Sequence, residues 1–269
     1  NIEAVDKWIL SKFNKLVYEV TENLDKFELG IAVAKLYDFI WDILCDWYIE
    51  LIKMRLYAKE ESGKAAQHVL AYVLSETLKL LHPLMAFITE EIYTSLPVCD
   101  ESIMISKWPE YRKDFEFIKE EEETELVIAA VKAVRNTRTE MNVPLSKKAK
   151  VYIVTEKKDA FENGAEFFMK LAGASEVVVA SDASVENAVS VVTEGAQILI
   201  PLGELVDLEK ERERLLKEKE RILSEIKRVD GKLSNQGFVS KAPAALIEAE
   251  KAKKVKYEEM LKKVEESLA

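Results

Sequence analysis

The chain of 269 residues carries few side chains of the kind that make or break covalent bonds. Its two histidines are His68 and His82. His82 stands before Pro83, and as a general base it would need a partner within hydrogen-bond reach. No spacing in the sequence supplies one, and the helix-start context favours a structural role. His68 reads as a residue at a bundle edge. Glu90 and Glu91 could imitate paired carboxylates, but neighbours on a helix point about 100° apart, which favours solvated or capping roles. Cys45 and Cys99 are far apart and show no CxxC pattern, so neither a disulfide framework nor a zinc site is indicated. A reduced cytoplasm fits this usage. No catalytic residue and no metal ligand are assigned.

What remains is the chemistry of binding. Trp8, Trp41, Trp47 and Tyr48 could stack on nucleobases, a contact worth ~1–3 kcal/mol per base. Their places on apolar stripes favour core packing for Trp41 and Trp47; Trp8 is the more open case and stands as a candidate. Lys53, Arg55 and Lys59 close a long helix. Cations there stabilise a helix C-terminus by ~0.3–1 kcal/mol, and the same charges could meet phosphates; the two readings stand even. Arg135 and Arg138 lie one turn apart beside the apolar row Val127, Val131 and Val134. Their planar forks suit a carboxylate such as Glu140 or a phosphate, with structural pairing slightly favoured. Lys241 sits at a turn, and Lys251, Lys253, Lys254 and Lys256 crowd into six positions. Pairs at i,i+4 on a solvated coiled-coil face explain most charges in this region, but not these. Such a row can neutralise a nucleic-acid backbone.

Composition bounds these readings. The net charge of −10 argues against a strongly basic nucleic-acid binder. The charge is uneven: residues 205–269 hold 16 Lys and Arg against 14 Asp and Glu, the rest 23 against 35. The tail is the less acidic part, although so small an excess is weak support for RNA. With only 8 Gly and 6 Pro, the chain favours long helices. No apolar run reaches the ~18–20 residues that span a bilayer. Asn1 opens directly into a helical pattern without signal peptide or initiator Met, so the chain reads as a piece of something longer.

The elements that must position these residues follow from periodicity. Val5, Trp8, Ile9, Phe13, Leu16, Val17, Val20 and Leu24 recur at steps of three and four, the mark of an amphipathic helix. A second helix carries Leu29, Val33, Leu36, Ile40, Ile43, Leu44, Trp47, Leu51 and Met54. Its flanking aromatic stripes predict a central place in a bundle. A third helix runs from Ala66 to Leu81 and breaks at Pro83. A fourth carries Leu84, Phe87, Ile88, Ile92 and Leu96. Short connections make an antiparallel bundle the economical arrangement. An irregular stretch from Val98 to Asp114 leads to a helix from Glu120 to about Asn142, ended by Pro144. Short β-branched runs at 151–154, 177–179, 188–192 and 198–200, with a helix at about 159–171, predict a small β-α-β-β-β unit.

From Leu205 the pattern is a helical hairpin. Leu208, Leu215, Ile222 and Val229 are seven apart, and Arg212, Lys219, Ile226 and Leu233 form a companion row. Asn235-Gln236-Gly237 interrupts, and Pro243 suits the first turn of a returning helix with Ile247, Lys254, Leu261 and Leu268. An antiparallel coiled coil that projects as a mobile arm is expected. The fold class is therefore mainly α: an antiparallel helical bundle over 1–118, a helix plus small α/β subdomain over 119–204, and a C-terminal antiparallel coiled-coil hairpin over 205–269.

Five motifs in order carry a resemblance. They are Asp6-Lys7-Trp8-Ile9-Leu10-Ser11, the stretch Phe39 to Glu50 with Cys45-Asp46-Trp47-Tyr48 inside it, and His82-Pro83-Leu84-Met85-Ala86-Phe87-Ile88-Thr89-Glu90-Glu91-Ile92. Val134 to Pro144 and Asn235 to Pro243, the latter followed by Ile247, Glu248 and Lys251, complete the set. The first three resemble the anticodon-binding bundle of the class I synthetases for valine, isoleucine and leucine. The last two narrow this to the carboxy-terminal part of the bacterial-type valyl-tRNA synthetase family, over essentially the whole chain. Ala86 and Leu145 stand where family members often have Pro, without consequence for the fold.

The resemblance implies that the bundle reads the valine anticodon and that the arm lies against the outer corner of the tRNA. The implied partners are valine tRNA and the catalytic and editing domains of the same polypeptide, with no DNA or membrane, in the cytoplasm. Neither a His-Ile-Gly-His-like peptide nor a Lys-Met-Ser-Lys-Ser-like loop occurs, and Lys53-Met54-Arg55 falls inside a predicted helix. The chain alone is therefore not expected to activate valine or to hold a cofactor; ATP would be used by the parent's catalytic domain. The candidate tRNA contacts are Trp8, Lys53, Arg55, Arg135, Arg138, Lys241, Lys251, Lys253, Lys254 and Lys256. Two other readings are an equivalent isoleucyl fragment, which the Asn235–Pro243 motif disfavours, and a helical module whose coiled coil binds protein.

Overall fold

The computed structural model describes residues 2–57, 61–97, 99–144, 146–205 and 208–234, and positions 248, 253, 254, 257 and 261 singly. The first helix, α1 (Ala4–Asp25), buries Val5, Trp8, Ile9, Phe13, Leu16, Val17 and Val20, the stripe its spacing predicts. A capping box starts it: the Glu3 backbone N–H donates to Asp6 at 2.9 Å. It ends at Phe27, which takes φ +59° and turns the chain back.

The second helical run is not one α-helix. It comprises α2 (Leu29–Asp38), a π-helical segment (Phe39–Ile49) and α3 (Glu50–Tyr57). Leu36, Phe39, Leu44, Tyr48 and Ile52 face the core. The five-residue step from Phe39 to Leu44 is the widened turn of a π-helix. It carries Trp41 outward, 54% exposed, while Trp47 and Tyr48 stay buried. The expected central place is corrected too. Leu29, Val33 and Tyr37 are exposed, so this run lies at the edge of the bundle.

The next helix, α4 (Glu61–Leu81), begins beside the end of α3. A Cβ on Gly63 would lie 2.2 Å from the Arg55 carbonyl oxygen, so only glycine allows this approach. After His82-Pro83, α5 (Ala86–Thr94) buries Thr89 and Tyr93. The expected apolar row of this helix is corrected: Phe87, Ile88 and Ile92 are exposed. The irregular stretch then runs back along α1. Asn14 Nδ2 donates to the Arg112 carbonyl at 2.8 Å, the Arg112 N–H returns to Asn14 Oδ1 at 2.7 Å, and the Trp108 indole donates to Thr21 at 2.9 Å.

The long α6 (Ile118–Glu140) joins bundle and sheet, burying Val127, Val131 and Val134. The α/β segment has four strands and two short helices where the sequence suggested one. They are β1 (Ala149–Val154), α7 (Lys158–Asn163), α8 (Ala165–Leu171), β2 (Ala174–Ala180), β3 (Ala188–Thr193) and β4 (Ala196–Pro201). Strand order is β2-β1-β4-β3, with β1 and β2 parallel and the other pairs antiparallel. One apolar core runs without a break from Val5 through α6 to Ile200 and Leu205. After α9 (Leu202–Leu205), α10 (Leu208–Ser234) shows Ile222 and Val229 buried as the heptad predicts. Lys254 pairs with Asp230 of α10 at 2.7 Å, which places the return segment beside the outgoing helix. The tip, Asn235–Pro243, lies outside the described residues.

Polar groups lock these packed faces. Asp6, fully buried, accepts two bonds from the Arg55 guanidinium at 3.0 and 2.8 Å and one from the Tyr48 hydroxyl at 3.0 Å. Between α1 and α6, Lys15 and Ser11 hold Glu121 at 2.5 and 2.6 Å, and Lys7 holds Glu120 at 2.8 Å. Burial alone would raise the Glu121 pKa; the bonds from Lys15 and Ser11 outweigh it and hold the carboxyl below its ordinary 4.5. The Lys7 bond lowers Glu120 likewise.

Two outcomes follow. Asp6→Ala strips two bonds from the half-buried Arg55 guanidinium, which keeps Glu3 at 3.1 Å and the Ser62 carbonyl, and should cost about 1.5–3 kcal/mol in urea denaturation. The two glutamates have folded pKa values below their unfolded ones. Their contribution is therefore complete above 4.5 and is lost as pH falls through the folded values. Replacing both with Gln should lower stability at pH 7 and flatten its decline below 4.5, read from thermal melts across the acid range.

Candidate nucleic-acid interface

The polar face of α6 opens into a groove of about 620 Å³ where the bundle meets α8. Lys132, Arg135, Asn136 and Thr139 line one wall, at helical steps of three and four; Trp47 and Lys170 stand opposite. The Lys132 ammonium sits 5.1 Å from the centre of the Trp47 ring. Lys170 is engaged by Glu166 at 2.8 Å. Arg135 is exposed and makes no ion pair among the described residues. Cys45 also borders the groove; burial first, and then the charge of Asp46, pushes its thiol pKa up, which makes it a poor nucleophile. Among the described residues no cluster of His, Cys, Asp and Glu could hold a metal ion. Asp46 and Glu50 also line the groove, so its cations stand beside carboxylates and can take a negatively charged group only away from those two.

The sequence-derived candidates are not brought together at one site. Trp8 is 3% exposed and packs in the core, its indole nitrogen without a hydrogen-bond partner, so it has no face for a base. Arg55 is turned inward onto Asp6 and also donates to the Ser62 carbonyl at 2.9 Å, which removes it from the surface. Lys53 is exposed and pairs with Glu50 at 3.0 Å. Arg138 is buried, but its partners are not acidic: its guanidinium donates to the carbonyls of Lys147 and Pro144, closing the loop after α6. Gly173, at φ +69°, passes so close that a Cβ would lie 3.0 Å from that guanidinium. Lys253 is exposed, Lys254 is paired with Asp230, and Lys241, Lys251 and Lys256 lie outside the described residues.

His82 has a structural part. Its Nδ1 is 2.7 Å from the Thr89 hydroxyl, which itself donates back to the Met85 carbonyl at 2.9 Å. The imidazole therefore steadies the turn into α5. Sequence reasoning overlooked Lys132. The signal was available: Lys132, Arg135, Asn136 and Thr139 form a polar stripe opposite Val127, Val131 and Val134.

Comparison with known proteins decides the family. The family described as the anticodon-binding domain of tRNA ligase matches residues 6–153, and the valyl tRNA synthetase tRNA binding arm matches residues 207–269. The chain belongs to the valyl-tRNA synthetase family. A valine–tRNA ligase of Clostridium acetobutylicum is 52% identical over 269 residues, covering 98% of this chain and 30% of the relative. One from Clostridium tetani is 53% identical over 267 residues, with 98% and 30% covered. One from Bacillus cereus is 43% identical over 271 residues, with 99% and 31% covered. The chain thus spans less than a third of these synthetases, and the match falls on their carboxy-terminal, anticodon-binding part. The isoleucyl reading gives way to the valyl arm. No described helix is long and apolar enough to cross a membrane.

The two arginines one turn apart should separate cleanly. Arg138→Ala removes a buried guanidinium that bonds the loop carbonyls of Lys147 and Pro144 and should cost about 1.5–3 kcal/mol, whereas Arg135→Ala, at the surface, should stay within about 0.5 kcal/mol of the parent. Chemical denaturation of the two variants side by side checks this.

Proposed function

We propose that this chain binds valine tRNA and orients it for ATP-dependent valylation by the rest of the synthetase. The observation that carries the reading is the presence, in one chain and in order, of an anticodon-binding match and a tRNA-arm match. The bundle offers a rigid helical surface against which the single-stranded anticodon bases can be splayed and read. The groove at Arg135 and Lys132 supplies cationic donors next to it, and Arg135 makes no ion pair among the described residues. The arm, with Lys241, Lys251, Lys253 and Lys256, would hold the tRNA elbow by charge and shape. ATP, valine and the editing reaction would be handled outside this chain, which contributes binding free energy and orientation rather than reacting groups.

An overall charge of −10 fits this division. A strongly basic chain would hold any RNA; here the cations are local, so placement of the RNA depends on a few positions.

A gel-shift titration against valine tRNA and an anticodon-swapped tRNA, over a salt series, tests the reading. The valine anticodon should be preferred, and affinity should fall steeply with salt. Arg135→Glu, and separately the pair Lys241→Glu and Lys251→Glu, should weaken both tRNAs about equally if these residues meet backbone only. Equal binding of the two tRNAs by the parent chain would refute anticodon reading. Unchanged affinity in the Lys241/Lys251 variant would remove the arm from the interface.

A further inference from the structure

The outer face of α2 and the π-helical segment is apolar and uncovered. Leu29, Val33, Tyr37 and Trp41 follow one another at steps of four and are 52%, 46%, 60% and 54% exposed. The row rises about 18 Å along the helix, from ~1.5 Å per residue. Tyr37 and Trp41 meet with their rings tilted by 48° at 6.3 Å, forming a continuous aromatic surface. Gly30 and Ala34 flank the row, both exposed, and a Cβ at Gly30 would meet nothing within 4 Å. Gly30 lies in the first turn of α2, and no described residue packs against it. The opposite face buries Ala32, Leu36, Phe39 and Leu44. A helix apolar on both faces belongs in the interior of a larger assembly, and an exposed apolar strip of this kind marks an interaction surface.

We propose that this face is the seat of the part of the synthetase polypeptide that lies outside the present chain. More than two thirds of each relative's length falls beyond the match, so a large protein mass is available to cover it. The edge of the strip selects protein over RNA. Asp38 and Asp42 follow the row one turn apart, both exposed and without an ion pair among the described residues. Two carboxylates beside the apolar strip repel a phosphate backbone and fit a partner surface that carries Lys or Arg around an apolar centre. Gly30 and Ala34 leave room for that partner's backbone to approach closely. The inference rests on family membership and on this surface, not on the tRNA reading.

Hydroxyl-radical labelling with mass-spectrometric readout tests it. Two proteins are compared: the chain alone, and a chimera in which it replaces the matching carboxy-terminal part of the Clostridium acetobutylicum ligase. Tyr37 and Trp41 should label readily in the chain alone and severalfold more slowly in the chimera, while Tyr18 and Tyr111, which are exposed and pack on each other instead, keep their rates. Unchanged labelling of Tyr37 and Trp41 in the folded chimera overturns the proposal. So does protection that appears when valine tRNA alone is added, or that grows with the concentration of the chain alone, since these identify RNA or a second copy as the occupant. A second arm does not depend on the chimera. The amino-terminal part of that ligase, co-expressed with the chain, should co-purify with it, and the variant Y37E/W41E should lose the association while keeping its circular dichroism. Persistence of the association in the variant overturns the proposal whatever the RNA titrations show.

Discussion

One buried carboxylate sets the geometry of the bundle. Asp6 lies in the first turn of α1 and is fully buried, so it must be matched in charge and in hydrogen bonds. Arg55 from α3 grips both oxygens, Tyr48 from the π-helical segment adds a third bond, and the Glu3 N–H a fourth. Arg55 then reaches the Ser62 carbonyl at the start of α4. Three helices and the π segment are thereby registered at one end of the bundle. Apolar packing is tolerant of small sliding; a bidentate pair in a dry site is not. Burial, followed by the nearby Asp6 charge, drives the Tyr48 pKa far upward, so its hydroxyl stays a donor at every working pH.

Much of this was legible in the sequence, for identifiable reasons. The α1 stripe, the α6 row and the Ile222 and Val229 heptad positions are repeats that one face of a helix must satisfy, and burial follows the spacing. The four strands are β-branched runs, bounded at Asn187 and Gly195 by residues that take positive φ. The failures have physical causes too. Trp8 and Arg55 were candidates for RNA because aromatic and cationic side chains serve surfaces and interiors alike. What decides between them is the partner across the core, Asp6 for Arg55, and it lies 49 residues away in sequence. Arg138 was expected to seek an acid; it found loop carbonyls, which carry no sequence signal. The order of motifs spoke for the family more clearly than any single residue spoke for its role.

The π-helical segment shows how a local departure can matter at long range. The predicted stripe already divides within the regular α2, where Leu29 and Val33 are exposed while Ala32 and Leu36 are buried; the wider turn between Phe39 and Leu44 carries the two faces onward. Leu44, Trp47 and Tyr48 turn inward, where Tyr48 can meet Asp6 and Trp47 can meet Lys132 from α6. Trp41 turns outward, in line with Tyr37 and Val33. A run of 29 residues between Leu29 and Tyr57 therefore serves two sides at once, without a break in the helix. π-segments are costly in hydrogen-bond geometry and concentrate at functional positions. Here the gain is that a single run closes the bundle core on one face and leaves an ordered apolar face on the other.

This arrangement explains why a strongly acidic chain can still serve an RNA. The acidic side chains are not spread evenly: Glu120, Glu121 and Glu125 are consumed by Lys7, Lys12 and Lys15 in the clamp between α1 and α6. Those pairs are neutral in sum and silent toward a phosphate beyond a Debye length of about 8 Å. Asp38 and Asp42, without an ion pair among the described residues, sit on the edge of the outer strip of α2 and the π segment. The cations of α6 share their groove with Asp46 and Glu50. Position, not net charge, is then the controlling quantity: an anion there meets Lys132 and Arg135 among carboxylates. A ligand held by two cations beside two carboxylates is positioned more than it is gripped.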